Sequence, residues 1–368
     1  MKLSFFMMPL HGLDRDYVQT LKEDREAVIL ADRLGFAEAF IGEHLTDKAE
    51  TITNCLTFIA TLIGDTKRIK LGSGTCNLAY THPAILAAHA AMVDHLLEGR
   101  FIFGISPGAL PSDAEVTGIL DQDRNAMLAE AIDHILNIWT GEAPYNLKGK
   151  YWTISTERTL FAEIGQGFIL KPYQRPHPPI VVTVVAPHSK GVVAAAARGF
   201  TAISANFLQP AWVATHWPMY AQGCQQGGRV ANREDWRVAR SIFVADDERT
   251  AEEYAKRADA SPYRFYYSQL VRKLSRMGRS GLFKADPNMP DEAMTLDYVV
   301  DSLVIAGTVE SVVDQILALR ESVGHFGTLV YAGHDWIDPP LAKHSMVLMA
   351  EKVMPAINRA IGERVAAQ

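Results

Sequence analysis

The chain has 368 residues, 48% hydrophobic and 21% charged, with a formal net charge of −6. This is the composition of a folded globular protein, and it excludes a disordered or fibrous chain. With no long basic run the electrostatic footprint of a nucleic-acid binder is missing, so the expected partner is a small molecule.

Cys55, Cys76 and Cys224 are scattered without a C-x-x-C pair. That argues against a disulfide framework or a zinc site, and for a reducing, cytoplasmic compartment with no metal. The first residues, MKLSFFMMP, lack a small-residue cleavage site and read as a strand rather than a leader. No apolar run reaches membrane-spanning length, since the longest helical stretch is interrupted by His89 and Asp94.

From the N-terminus onward, short apolar runs alternate with longer amphipathic ones, the pattern of β-α units around a parallel sheet. Strands are expected at 2–9, 38–43, 69–77, 101–106, 180–185, 201–206, 237–245 and 327–333. Eight of them favour a closed (β/α)8 TIM barrel. Helical patterns cover 17–34, 52–63, 83–99, 124–139, 189–198, 211–225, 250–258, 309–323 and 344–361. The clearest is 83–99, where Pro83 suits a first turn, Ile85, Ala88, Met92 and Leu96 form one apolar stripe, and Gly99 supplies the stop. Two stretches break the rhythm, 140–179 and 260–294, and are read as insertions after the fourth and seventh strands. The second is expected to close as a lid. Without a Pro/Gly/Ser linker, residues 1–368 are read as one domain.

In such a barrel the chemistry lies at the C-terminal strand ends. The second strand runs out into FIGEHLTD, placing His44 there as an acid, base or hydrogen-bond donor, or alternatively as a loop-capping imidazole. The third ends in GSGTCNLAYTHP, whose Gly72 and Gly74 allow close approach to a flat ligand or simply a tight connection. Ser106 ends the fourth, between Gly104 and Gly108. After the fifth, Ser189, Lys190 and Gly191 open a helix, a seat for phosphate or an ordinary N-cap. Arg100 falls at the opposite end of the barrel and is assigned to structural ion pairing with Asp94. After the last strand, YAGHDWIDPP places His334, Asp335 and Trp336 at the mouth, where Trp336 either walls an apolar pocket or packs under the C-terminal helix.

Together EHLTD, YTHPAILAAHAAMVDHLLEGRFIFGISPG, the small-residue helix after APHSKG, and AGTVESVVDQI resemble the bacterial luciferase-like family of flavin-dependent monooxygenases. Within it the chain looks like the type II Baeyer–Villiger group of diketocamphane and limonene monooxygenase-like proteins. The resemblance implies a TIM barrel, reduced FMN supplied by a separate flavin reductase, a homodimer packed through the early helices, and a flavin C4a-peroxide that transfers one oxygen atom from O2 to an apolar carbonyl substrate.

It also implies that His44 is the active-site histidine. Gly74 and Thr75 fall at a non-prolyl cis peptide beneath the flavin, Ser106 and Asn77 line the ring, and Ser189, Lys190 and Gly191 hold the phosphate. Tyr80, Phe207, Tyr263, Tyr266 and Trp336 are candidates for the substrate wall. The chain departs from the family's pattern at Pro107, where a phosphate-contacting arginine is expected, so Lys190 or a residue of 260–294 has to compensate. His188 and Pro187 replace two further phosphate-loop donors. Deazaflavin-dependent hydride transfer on the same barrel, or a non-catalytic flavin-binding subunit, are the alternative functions.

Overall fold

The computed structural model describes residues 1–366. Eight parallel strands close a ring: β1 (Lys2–Met7), β2 (Glu38–Ile41), β3 (Lys70–Ser73), β4 (Phe101–Ser106), β5 (Ile180–Val184), β6 (Thr201–Ser204), β7 (Trp236–Val244) and β8 (Thr328–Ala332). Each pairs with the next, and β8 returns to β1 with Lys2 opposite Thr328 and Phe6 opposite Ala332. Helices cover the outside. All eight expected strands are present.

Alternation along the strands sorts inside from outside. Phe40, Ile102, Val181, Ile203, Ala239 and Val330 form one buried inward cluster, with Phe6 packed against it. Below it, the Arg237 guanidinium makes two hydrogen bonds of 2.7 Å to the two oxygens of Glu38. Stepping by two residues above that cluster gives Gly42, Gly74, Gly104 and Ser241, and then His44, Ser106, Phe207 and His334 at the C-terminal mouth.

The glycines are there because neighbours already occupy the space of a side chain. A Cβ on Gly74 would lie 2.9 Å from the Phe40 Cβ, and one on Gly104 only 1.9 Å from the Ser73 carbonyl oxygen. The third expected strand is broken where the Gly74–Thr75 peptide is cis, and pairing resumes over Cys76–Asn77 beside Ile105 and Ser106.

Several expectations need correction. On helix Pro83–Leu96 the core face is Leu86, Ala87, Ala90 and Val93, because the alanines allow close approach to the barrel. Ile85, Met92 and Leu96 instead face outward, each about half exposed at 51%, 50% and 49%. Asp94 does not pair with Arg100. It accepts from the Gln174 amide N–H at 2.8 Å and side chain at 2.7 Å, while Arg100 donates to the Ile69 carbonyl at 2.8 Å.

The 260–294 stretch is largely ordered as helix Pro262–Arg276, capped by Ser261, with Tyr263, Tyr266, Tyr267 and Leu274 on one buried face. Its helical period was masked by the surrounding Arg, Lys and Pro. Stretch 140–179 contains a hairpin, Asn146–Lys148 with Thr153–Ser155. A ninth parallel segment, Val304–Gly307, extends β7 outside the ring.

Candidate active site at the barrel mouth

The end of β2 explains its two adjacent ionisable residues. Glu43 is an anchor: its oxygens accept the backbone N–H of Cys55 at 2.9 Å and of Asn77 at 3.2 Å. This ties the β2 turn to the helix beginning at Cys55 and to the strand fragment after the cis peptide. Cys55 and Cys76 lie close by with sulfurs 3.5 Å apart, but the carboxylate they would share with an ion is already engaged by these N–H donors.

His44 has a different environment. Its backbone N–H donates to Ile52 at 3.0 Å, fixing the loop, and both ring nitrogens meet carboxylates. Nδ1 is 2.9 Å from Asp113 Oδ2 and Nε2 is 3.3 Å from Glu50 Oε2. Asp113 comes from helix Pro111–Val116, and its other oxygen accepts from the Thr46 N–H at 2.9 Å. Burial alone would lower the His44 pKa, but Glu50 and Asp113 outweigh it and raise it above the ordinary 6.5. The imidazolium form is therefore favoured. Burial also raises the pKa of Glu50, whereas the His44 and Thr46 bonds overcome burial and hold Asp113 low.

Beside this group, Thr75 Oγ1 donates to Ser106 Oγ at 2.7 Å, and Ser106 donates to Asn77 Oδ1 at 2.8 Å. The Gly108 N–H also donates to Ser106, at 3.2 Å. His44, Gly74, Thr75, Asn77 and Ser106 thus gather at the ends of β2 to β4. Tyr80 lies against Gly108, whose positive φ of 85° and lack of a side chain admit the phenol. Arg124, from the next helix, donates to the Gly108 carbonyl at 3.2 Å.

At the end of β5, Ser189 caps helix Lys190–Ala197 by accepting the Val192 N–H at 3.3 Å, and Lys190 and Gly191 are exposed. Arg279, from the loop after helix Pro262–Arg276, donates to the Val185 carbonyl at 2.8 Å. Neither Arg124 nor Arg279 has a carboxylate partner among the described residues.

The β6 to β8 side carries the remaining candidates. Tyr263 and Tyr266 flank the buried His334, with ring centroids 4.1 Å and 4.8 Å away. Phe207 meets Phe283 at 6.5 Å. Trp336 lines a small cavity with Ala342 and Met346 of helix Pro339–Leu348, and the Lys343 ammonium sits 5.1 Å over its ring. Helix Pro262–Arg276 connects the two sides as a roof. Tyr263 donates to the Ile242 carbonyl at 2.7 Å at one end, and Lys273 pairs with Asp47 at the other, 3.9 Å from Glu50.

Sequence reading found His44 and Ser106 from their strand ends. It missed Asp113, Glu50, Lys273, Arg124 and Arg279, because only the fold brings them to the mouth. His334 was placed at the mouth by its position after β8, in step with the inward-facing residues, but was given no role.

A closed parallel barrel with a partly buried histidine between carboxylates at its C-terminal mouth defines a TIM-barrel enzyme scaffold. The sequence pattern described as luciferase-like monooxygenase matches residues 1–325, and the chain belongs to that family. It is 30% identical over 98% of its length to limonene 1,2-monooxygenase of Rhodococcus erythropolis, of which it covers 87%.

Among solved structures it is similar to the oxygenating constituent of 3,6-diketocamphane monooxygenase of Pseudomonas putida, a type II Baeyer–Villiger monooxygenase in complex with FMN. That match has a TM-score of 0.87 and 27% identity, covering 97% of this chain and 98% of that one. An F420-dependent secondary alcohol dehydrogenase shares the fold, with a TM-score of 0.70 at 18% identity, covering 97% and 98% of the two chains.

Proposed function

We propose that the protein is the oxygenase of a two-component, FMNH2-dependent monooxygenase that inserts one oxygen atom from O2 into an apolar carbonyl substrate in Baeyer–Villiger fashion. A separate flavin reductase is its transient partner, and the working form is a cytoplasmic homodimer of one catalytic domain. Segments 140–179 and 260–294 are taken as its two insertions. The observation that carries this reading is His44, clamped between Asp113 and Glu50 beside Thr75 and Ser106.

The residues fit an anionic flavin. Arg124 and Arg279, two guanidinium groups without carboxylate partners among the described residues, hold backbone carbonyls at the ends of β4 and β5, and the capped helix start of Ser189, Lys190 and Gly191 follows β5. They would hold the phosphate in place of the side chain missing at Pro107. When bound, reduced FMN would supply the two electrons that activate O2, and O2 would provide the atom transferred. The protein's share is to hold the ring against Gly74, Thr75, Asn77 and Ser106, and to exclude water beneath helix Pro262–Arg276. His44 holds a proton at each ring nitrogen, with Asp113 fixing the ring's orientation.

The deciding experiment is stopped-flow mixing of the anaerobic protein and photoreduced FMN with oxygenated buffer. A protein-dependent phase in flavin reoxidation, together with oxygen incorporated into a ketone, is expected. Reoxidation no different from free FMN would favour hydride transfer by a deazaflavin.

A further inference from the structure

At the end of β8, His334 has one ring nitrogen satisfied and one left over. Nε2 lies 2.9 Å from Ser241 Oγ, while Nδ1 is buried and has no partner among the described residues. A buried polar atom without a partner costs about 1–3 kcal/mol, so a site that retains one invites the question of what pairs with it.

The surrounding network decides whether that atom is a donor or an acceptor. Tyr266 donates its hydroxyl to Asn206 Oδ1 at 3.2 Å, which turns the Asn206 amide nitrogen toward Ser241 Oγ, also at 3.2 Å. Tyr267 Oη lies 3.0 Å from the same Ser241 oxygen and 3.4 Å from the Asn206 carbonyl oxygen. With the Tyr267 proton on the shorter contact, two donors fill the serine's lone pairs, and its own proton goes to His334 Nε2. Reversing the Asn206 amide would strand the buried Tyr266 proton. The proton of the neutral imidazole therefore sits on Nδ1. Burial keeps the ring neutral, its pKa pushed down to about 3 with Asp335 opposing only weakly.

We infer that His334 Nδ1–H is the hydrogen-bond donor that receives the carbonyl oxygen of the substrate. This rests on the function proposed above and adds the group that selects a carbonyl over a hydrocarbon of the same shape. The Tyr263 and Tyr266 rings beside His334 supply apolar surface for the rest of the molecule. The cavity touching His334 is about 10 Å3, room for one water, so a ketone requires the roof helix to yield. From Tyr266 to Lys273 that helix advances roughly 10 Å. The carbonyl donor and the His44 cluster thus lie beneath opposite ends of the one roof helix. A neutral imidazole suits the task, since it polarises a carbonyl without giving up its proton.

The test uses binding alone, without flavin or oxygen, so its failure is separate from failure of the oxygenase reading. Long-range 1H–15N spectra of the labelled protein report the tautomer. Infrared difference spectra of bound cyclohexanone report the carbonyl, and methylenecyclohexane serves as the isostere without an acceptor. The expected result is the Nδ1–H tautomer, a lowered carbonyl frequency, and a ketone preference that falls about 10-fold or more in His334→Phe. His334→Asn, which keeps a donor at the Nδ1 position, should restore that preference. An Nε2–H tautomer, absence of ketone binding, an unshifted carbonyl or an unchanged preference in His334→Phe would overturn the inference, leaving the donor to a single buried water.

Discussion

Lys273 and Asp47 are 226 residues apart in sequence and joined by an ion pair that fastens the roof helix to the loop carrying His44. Lys273 is also 3.9 Å from Glu50, the carboxylate facing His44 Nε2. One ammonium thus serves both the closure of the mouth and the charge balance around the imidazole.

Replacing Lys273 with Met should free that end of the helix. Both partners are partly shielded, so a loss of about 1–2 kcal/mol in local stability is expected. It should be seen as faster amide hydrogen exchange across residues 262–276, with little change in the β-strands. Uniformly unchanged exchange would show that the pair does not fasten the helix.

The titration of His44 follows from its neighbours. Its folded pKa is raised, so the stabilisation it brings is complete below pH 6.5 and is lost as pH rises through the folded value. Asp113 is depressed, and its contribution is present above its ordinary 3.8 and disappears as pH falls through the lowered value. Asp113→Asn should move the His44 midpoint, followed by NMR, downward. An unmoved midpoint would assign the raised value to Glu50 alone.

Arg124→Ala and Arg279→Ala should each weaken FMN binding by about 10-fold, the scale of one charge-assisted hydrogen bond. Riboflavin, lacking the phosphate, should be affected little. Titration calorimetry with both flavins separates phosphate recognition from general damage to the mouth, which would weaken the two alike.

Gly104→Ala places a methyl group 1.9 Å from the Ser73 carbonyl oxygen, inside a closed ring that cannot widen locally. A loss of at least about 3 kcal/mol is expected, measured as a lower urea midpoint.

Ile85, Met92 and Leu96 make an outward apolar stripe on helix Pro83–Leu96. Ile85→Lys combined with Met92→Lys should convert the proposed dimer to monomer in light scattering, and a persisting dimer would place the interface elsewhere.

The barrel was readable because each strand is an apolar run bounded by polar or glycine residues, and the strand-end rule then led directly to His44 and Ser106. The same reasoning could not tell which face of helix Pro83–Leu96 is buried, since its alanines and its larger residues both fit an apolar stripe. Nor could it pair Asp113 with His44 or Lys273 with Asp47, because nothing local marks a contact across 69 or 226 residues. Asp94 shows the converse error: closeness in sequence to Arg100 suggested a pair, but Gln174 holds the carboxylate.

The bidentate Glu38–Arg237 pair, with the Phe40 ring 5.7 Å from the guanidinium, makes the barrel blind at its lower end. A molecule that reaches His44 has no onward passage. Whatever enters must back out the way it came, so arrival and departure share the one mouth.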